Sequence, residues 1–363
     1  INAIIPILIV PYYSVIGGWV IKYLIEYFAG HSKTLAGDAY FTTFISNGWS
    51  TEICFIIFTL FTLGIIYAGV RNGIERVSKF MMPILIVLSL IIAVYSVTRP
   101  GAIEGVKYFL VPNFDHFSWM TVVSAMGQMF YSLSIAMGIL ITFGSYMKKD
   151  TSIEKSTENV EIFDTAIAIM AGLMIIPAVF AFSGGNAETL KSGPALMFIT
   201  IPKVFANMGF GTAIGIVFFL LVLFAAVTSS IALTESAVST FEDELHWSRK
   251  KSTVFMGMVM LLLGTLSCLG YGPLANFKIL GMQFLDFFDF ITNSVMMPIA
   301  AIATCLLVSK VVGVDKIEEE IKKDGQAFRR KKIFCFMIKY LCPLFAAIIL
   351  ISSVANAFGI ITM

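Results

Sequence analysis

Nine stretches of this chain are apolar almost without interruption, at about residues 3–28, 52–70, 81–98, 120–147, 162–184, 210–241, 252–270, 284–312 and 333–360. None shows the alternation of a half-buried strand, and each approaches or exceeds the ~20 residues that a helix needs to cross a ~30 Å hydrocarbon core. In lipid only helices and closed barrels satisfy every backbone group, and barrel strands alternate. The pattern therefore predicts an all-α polytopic membrane protein with about nine transmembrane helices in a single transmembrane domain.

The polar residues between these stretches set an orientation. Arg71, Arg76 and Lys79, then Lys148, Lys149 and Lys155, then Arg249, Lys250 and Lys251, and finally eight Lys/Arg from Lys310 to Lys332 all fall in alternate loops. The opposite loops carry only Lys33, Arg99, Lys107, Lys191, Lys203 and Lys278. Basic residues concentrate on the cytoplasmic side, so the first end of the chain is expected inside and the last outside, in the plasma membrane. The outer loops hold apolar, Gly/Pro-marked segments at 112–119 and 193–208, which predict structured caps. Residues 315–332 read as a solvated cytoplasmic linker. The chain opens at Ile1 within an apolar helix that has no small-residue cleavage site, so it reads as an interior segment of a longer protein rather than a secretory leader.

Composition sharpens the class. The 363 residues are 58% hydrophobic and 13% charged, about half the charge of a soluble domain, with a formal net charge of +2. That charge suggests no nucleic-acid partner; the bilayer itself is the expected surroundings. Cys54, Cys268, Cys305, Cys335 and Cys342, and His31, His116 and His246, have no metal-site spacing. Neither a G-x-S-x-G elbow nor an H-E-x-x-H is present, so a membrane enzyme is disfavoured.

Several spans carry residues that lipid-facing helices avoid. The run from Phe130 to Gly138 puts Ser132, Ser134 and a glycine near the middle of its span. The serines could bond back to their own helix, or the helix could be discontinuous, with freed carbonyls and half-helix ends facing an ion and a charged substrate. The span at 210–241 contains Thr228, Ser229 and Ser230. They could serve helix packing, or Thr228, Ser229 and the Ala225 carbonyl could present hard oxygen ligands to an alkali cation. Asp164 faces either a bundle interior or, by snorkelling, the nearby cytoplasmic end. Asp286 and Asp289 begin the span at 284, where a surface role is cheap. Adjacent Tyr12 and Tyr13 diverge by about 100° on a helix, so at most one can reach a central site. Gly73 and Pro83 bracket nine residues at a helix entrance and weaken that helix.

As a set, Tyr12-Tyr13, the segment Ser132 to Gly138, the loop from Gly193 to Pro202, Thr228-Ser229-Ser230, and Phe241 to Leu245 resemble the neurotransmitter:sodium symporter family, in particular its bacterial amino-acid transporters. The resemblance covers essentially the whole chain. It implies two inverted five-helix repeats, with this chain running from the family's third helix to its eleventh and lacking the first two: 1–98 the remainder of the first repeat, 120–312 the second, 333–360 a peripheral last helix.

The same resemblance implies the site. Tyr13 corresponds to a tyrosine that meets the substrate carboxylate, Ser134 offers further contacts, and Tyr131 forms an aromatic lid. Ile9, Met137 and Leu233 line the side-chain pocket. One Na⁺ would be held by the Ala225 carbonyl, Thr228 and Ser229, and a second by Ser132 and Asp164, whose carboxylate resembles the fixed charge of chloride-independent relatives. Asp289, with Asp286 a near-equal candidate, corresponds to the outer-gate acid. Asp243 corresponds to the inner-gate acid and Tyr146 to the tyrosine beneath it, while Gly73 and Pro83 match the family's unwinding fifth helix. The implied function is sodium-coupled symport of hydrophobic or aromatic L-amino acids. A proton-coupled permease of the same broad fold and a binding-only or inactive truncated membrane protein are the rivals.

Overall fold

A computed structural model describes residues 1–186, 193–323 and 327–360. Eight helices in it are long and apolar enough to cross a membrane. They are α1 (Ile4–Phe28), α2 (Gly48–Tyr67), α3 (Val70–Val97), α6 (Ile153–Ser183), α7 (Gly211–Leu245), α8 (Arg249–Leu269), α9 (Phe284–Val312) and α10 (Lys331–Ala357). The ninth expected span is present as two shorter pieces, α4 (Trp119–Ser132) and α5 (Ile139–Ser145). Among the described residues there is no β-strand, only one isolated bridge between Ile279 and Met282.

Burial ranks the helices. In the most apolar stretch of α1, 67% of residues are buried within the protein, against 11% for α10. α1 therefore forms the centre and α10 the periphery. α1 packs on α7, α2 and α8, and its Tyr12, Trp19, Tyr23 and Tyr27 are almost wholly enclosed. Because lipid is as apolar as leucine, such contacts gain from close packing and interhelical hydrogen bonds rather than from removal from water. Ser96 in α3 shows the second kind, donating to the Met174 carbonyl of α6 at 2.6 Å.

The structure revises several expected boundaries. α3 starts at Val70, eleven residues before the apolar run, because Val70–Glu75 forms a π-helical turn through the charged segment. α6 starts at Ile153, since Glu154, Glu158 and Glu161 extend the helix beyond its apolar part. Charge hides a helix from a hydropathy reading without preventing it. The expected linker at 315–332 is likewise partly helical, over Val314–Lys322, with Val314 and Ile321 buried. Its residues 324–326, and Lys191 of the outer loops, lie outside the described residues.

Within the first expected cap, 112–119, Phe114–His116 form a short 3-10 turn, and Ser118 and Thr121 make a reciprocal capping box that starts α4. The second cap, Gly193–Ala206, is seated on α1 through Phe198. Phe198 stacks on Phe41 with ring centroids 5.2 Å apart, meets Trp19 edge-on, and its carbonyl accepts from the Tyr23 hydroxyl at 2.7 Å. Lys203 in the cap pairs with Asp38 in the loop after α1.

Candidate functional site

The break between α4 and α5 is where the backbone leaves helical geometry most sharply. Ser134, Ala136 and Gly138 have φ of 52°, 63° and 76°. Two of these are non-glycine residues in the left-handed region, a conformation that costs energy and persists where the surroundings fix it. Gly138 meets a second demand, because a Cβ there would lie 2.8 Å from Ser236 Oγ and 3.0 Å from the Asn2 carbonyl. The helix therefore unwinds across the segment that the sequence marked with hydroxyls and a glycine, and the ends of two half-helices face the protein interior.

A cavity of about 450 Å³ opens against this break. Ile9 and Tyr13 reach it from α1, Tyr131, Ser132, Ser134 and Met137 from the broken segment, and Thr228, Ser229 and Leu233 from α7. All six expected substrate residues thus share one cavity, together with three of the expected sodium ligands. Its volume falls within the range of small-molecule sites. Met82, Gln128, Ile139 and Ala232 complete the lining, and the sequence reading had passed over these four.

The two remaining sodium candidates stand just behind the lining. Asp164 Oδ1 accepts from Ser132 Oγ at 2.6 Å, a length typical of a charge-assisted bond, so it faces the break rather than snorkelling. The early start of α6 explains this, since Asp164 lies three turns into the helix. The Ala225 carbonyl accepts from Thr228 Oγ1 at 3.0 Å, and the Phe224 carbonyl does so equally. The Thr228 hydrogen is turned along its own helix, which leaves the lone pairs of its oxygen free to face a cation.

Asp289 sits in a cluster around the Tyr12 hydroxyl. Its Oδ1 accepts from the Tyr12 hydroxyl at 3.2 Å and from Asn293 Nδ2 at 2.5 Å, while Thr292 Oγ1 lies 3.2 Å from the same hydroxyl. The sequence pattern gives Tyr12 no partner. In the structure its side chain, turned away from Tyr13 as helical geometry requires, positions Asp289. Asp286 is occupied elsewhere, accepting from Tyr271 at 2.9 Å. Burial and the Asp286 carboxylate hold the Tyr271 hydroxyl well above its usual range. The two candidate acids are thus held by different tyrosines, Asp289 by Tyr12 of α1 and Asp286 by Tyr271 just past α8.

Asp243 is exposed, and a dense network forms instead around Glu235, a residue given no role from the sequence. Glu235 in α7 is wholly enclosed. Arg249 grips it with two bonds of 3.0 and 2.6 Å, Tyr146 donates to it at 2.7 Å, and the Arg249 Nε donates to the Ile66 carbonyl at 3.0 Å. Glu242 lies 3.5 Å from the same guanidinium. Tyr146 thus bonds Glu235. A lone glutamate in an apolar run was the visible signal; its cation fourteen residues later was not.

Gly73 lies in the π-helical turn that opens α3, where a Cβ would come within 2.1 Å of the Ile65 carbonyl. Pro83 lies within the continuous helix beyond, next to Met82 of the cavity lining. The entrance of α3 is a wider helical turn rather than an unwound stretch.

Comparison with known proteins agrees with this arrangement. The profile of the sodium:neurotransmitter symporter family matches residues 25–360. The chain is 33% identical over 358 residues to the sodium-dependent transporter YhdH of Bacillus subtilis, covering 98% of this chain and 78% of that one. A sodium-dependent transporter of Haemophilus influenzae is 30% identical over 356 residues, 95% of this chain and 76% of its own. Among solved structures, MhsT in complex with L-phenylalanine superposes with a TM-score of 0.83 at 33% identity, covering 97% of this chain and 80% of that one.

Proposed function

The chain belongs to the sodium:neurotransmitter symporter family, a family of sodium-coupled membrane transporters, and from that premise we propose that its cargo is a hydrophobic or aromatic L-amino acid, moved by alternating access. The observation that carries the proposal is the mixed lining of the central cavity. The hydroxyls of Tyr13, Ser132, Ser134, Thr228 and Ser229 meet there with the apolar Ile9, Met137 and Leu233. The hydroxyls suit a zwitterionic headgroup and the apolar residues an apolar side chain. Met137, unbranched and polarizable, makes a compliant wall that suits a bulky or aromatic group. The structure of MhsT is of a complex with L-phenylalanine, which agrees in chemistry.

In this reading two Na⁺ ions are co-substrates. One is held by the Ala225 carbonyl, Thr228 and Ser229, the other by Ser132 with Asp164 behind it. Oxygen-only donors suit a hard monovalent cation. Tyr13 orients the substrate carboxylate, Tyr131 covers it, and Asp289 closes the outer side. Asp243 and Tyr146 act at the inner side, and α3 between Gly73 and Pro83 opens a water path to the first Na⁺. Residues 1–98 and 120–312 are the two repeats and 333–360 a peripheral helix. In this reading, which the basic loops support, the first end of the chain lies in the cytoplasm and the last outside the plasma membrane. Asp164 also supplies fixed negative charge in a low-dielectric site, so no chloride is required.

The test is uptake of radiolabelled L-phenylalanine by the complete protein in proteoliposomes. The expected result is accumulation driven by an inward Na⁺ gradient and unchanged when gluconate replaces chloride. Uptake that requires chloride would refute the role given to Asp164, and uptake driven by a proton gradient in the absence of Na⁺ would favour the permease alternative.

A further inference from the structure

At the end of the protein that carries Arg249, a second hollow of about 460 Å³ lies between the end of α2 and the start of α8. Its charge is not the charge of the Glu235 network. Arg249 turns inward to Glu235 and Glu242, whereas the next two residues turn outward onto aromatic rings. Lys250 Nζ is 5.7 Å from the centroid of Tyr67, and Lys251 Nζ is 4.0 Å from that of Trp247. Both lysines are exposed, and among the described residues neither has a carboxylate partner. No carboxylate lines the hollow.

A second feature says what kind of anion fits. Lys250, Val254 and Met258 are spaced four residues apart and so lie in one stripe along α8. Val254 and Met258 line the hollow and are each 57% exposed, and Leu262, one further step along, is 68% exposed. The stripe runs from a cation at the helix start to bare apolar surface along a helix apolar enough to span the bilayer. The start of α8 adds its positive dipole end, and the Ser248 side chain caps none of its N–H groups.

We propose that this hollow binds the headgroup of an anionic phospholipid. The phosphate sits among Lys250, Lys251 and the first turn of α8, and an acyl chain follows Val254, Met258 and Leu262. A free phosphate would use the lysines but not the stripe. A zwitterionic lipid would bring its own ammonium group against both lysines. With the orientation proposed above, the leaflet is cytoplasmic, where anionic lipids meet basic residues at membrane-spanning helix ends.

The experiment uses the complete protein in nanodiscs of phosphatidylcholine, with and without phosphatidylglycerol. It reads retained lipid by native mass spectrometry and the thermal midpoint. Phosphatidylglycerol is expected to be retained by the unaltered protein and to raise its midpoint. Lys250→Gln/Lys251→Gln should lose both effects, with roughly 30-fold weaker lipid binding for the two charges together. Lys250→Arg/Lys251→Arg should keep them, as should Lys148→Gln/Lys149→Gln in another basic loop. A midpoint in pure phosphatidylcholine equal to the unaltered protein's, with sodium-dependent phenylalanine binding intact, shows that the double variant is folded and separates this proposal from the transport reading. Full retention of phosphatidylglycerol by the glutamine variant would overturn the proposal, as would an equal midpoint rise with inorganic phosphate alone.

Discussion

Two carboxylates, Glu235 and Asp289, are held in opposite ways. Glu235 is fully enclosed and carries its own cation, a bidentate guanidinium, plus a tyrosine hydroxyl. Asp289 is held by Tyr12 and Asn293, with Thr292 beside Tyr12, and among the described residues no cation reaches it. The first arrangement is complete in electrostatic terms. The second is pre-oriented and has no cation. A closed pair ties α7 to the start of α8 and resists separation. An acid without a cation, held in place by neutral donors, is suited to a contact that must form and break in every cycle.

That contrast makes predictions that differ in kind. The largest effect is expected for Arg249→Met, which leaves Glu235 buried without its cation and should cost about 3–5 kcal/mol of stability. Adding Glu235→Gln should recover most of the loss, read as a double-mutant cycle in thermal or denaturant unfolding; an equally unstable double variant would mean that the pair is not closed in this way. Asp289→Asn should behave in reverse, retaining stability within about 1 kcal/mol because an amide still accepts from Tyr12, while uptake falls steeply. A large loss of stability there would erase the distinction between the two carboxylates. Between the two, Ser132→Ala removes the bond to Asp164, worth about 0.5–1.5 kcal/mol, and should weaken sodium dependence of transport more than fold stability. The smallest effect is expected for Pro83→Ala, which restores a continuous hydrogen-bond ladder in α3 and should slow sodium release on the inner side without changing equilibrium substrate binding. Unchanged release rates would remove α3 from the opening mechanism.

The sequence discloses these regions unequally, and physics accounts for the difference. The break in α4–α5 was legible because two serines and a glycine in an apolar span have few structural uses there. The substrate wall followed once the family resemblance set the register, and Ile9, Tyr13, Tyr131, Met137 and Leu233 do share a cavity. The Glu235–Arg249 pair was half legible. A buried acid is conspicuous by hydropathy, but its partner lies beyond a helix end and a turn, and only the packing of α8 on α7 brings them together. The contact of Tyr12 was not legible for a related reason, because its partner Asp289 is 277 residues away. The starts of α3 and α6 were hidden because hydropathy measures what lipid tolerates, and charged turns extend helices past the bilayer without changing their hydrogen bonding.

The central claim is that the cavity holds substrate and sodium together. It is tested most directly by equilibrium binding of radiolabelled L-phenylalanine to the purified complete protein as Na⁺ is replaced by K⁺ at constant ionic strength. The account predicts saturable binding that vanishes in K⁺, competes with tryptophan and leucine, and is weakened by Thr228→Val and Ser132→Ala. Saturable binding that persists undiminished without Na⁺ would contradict it.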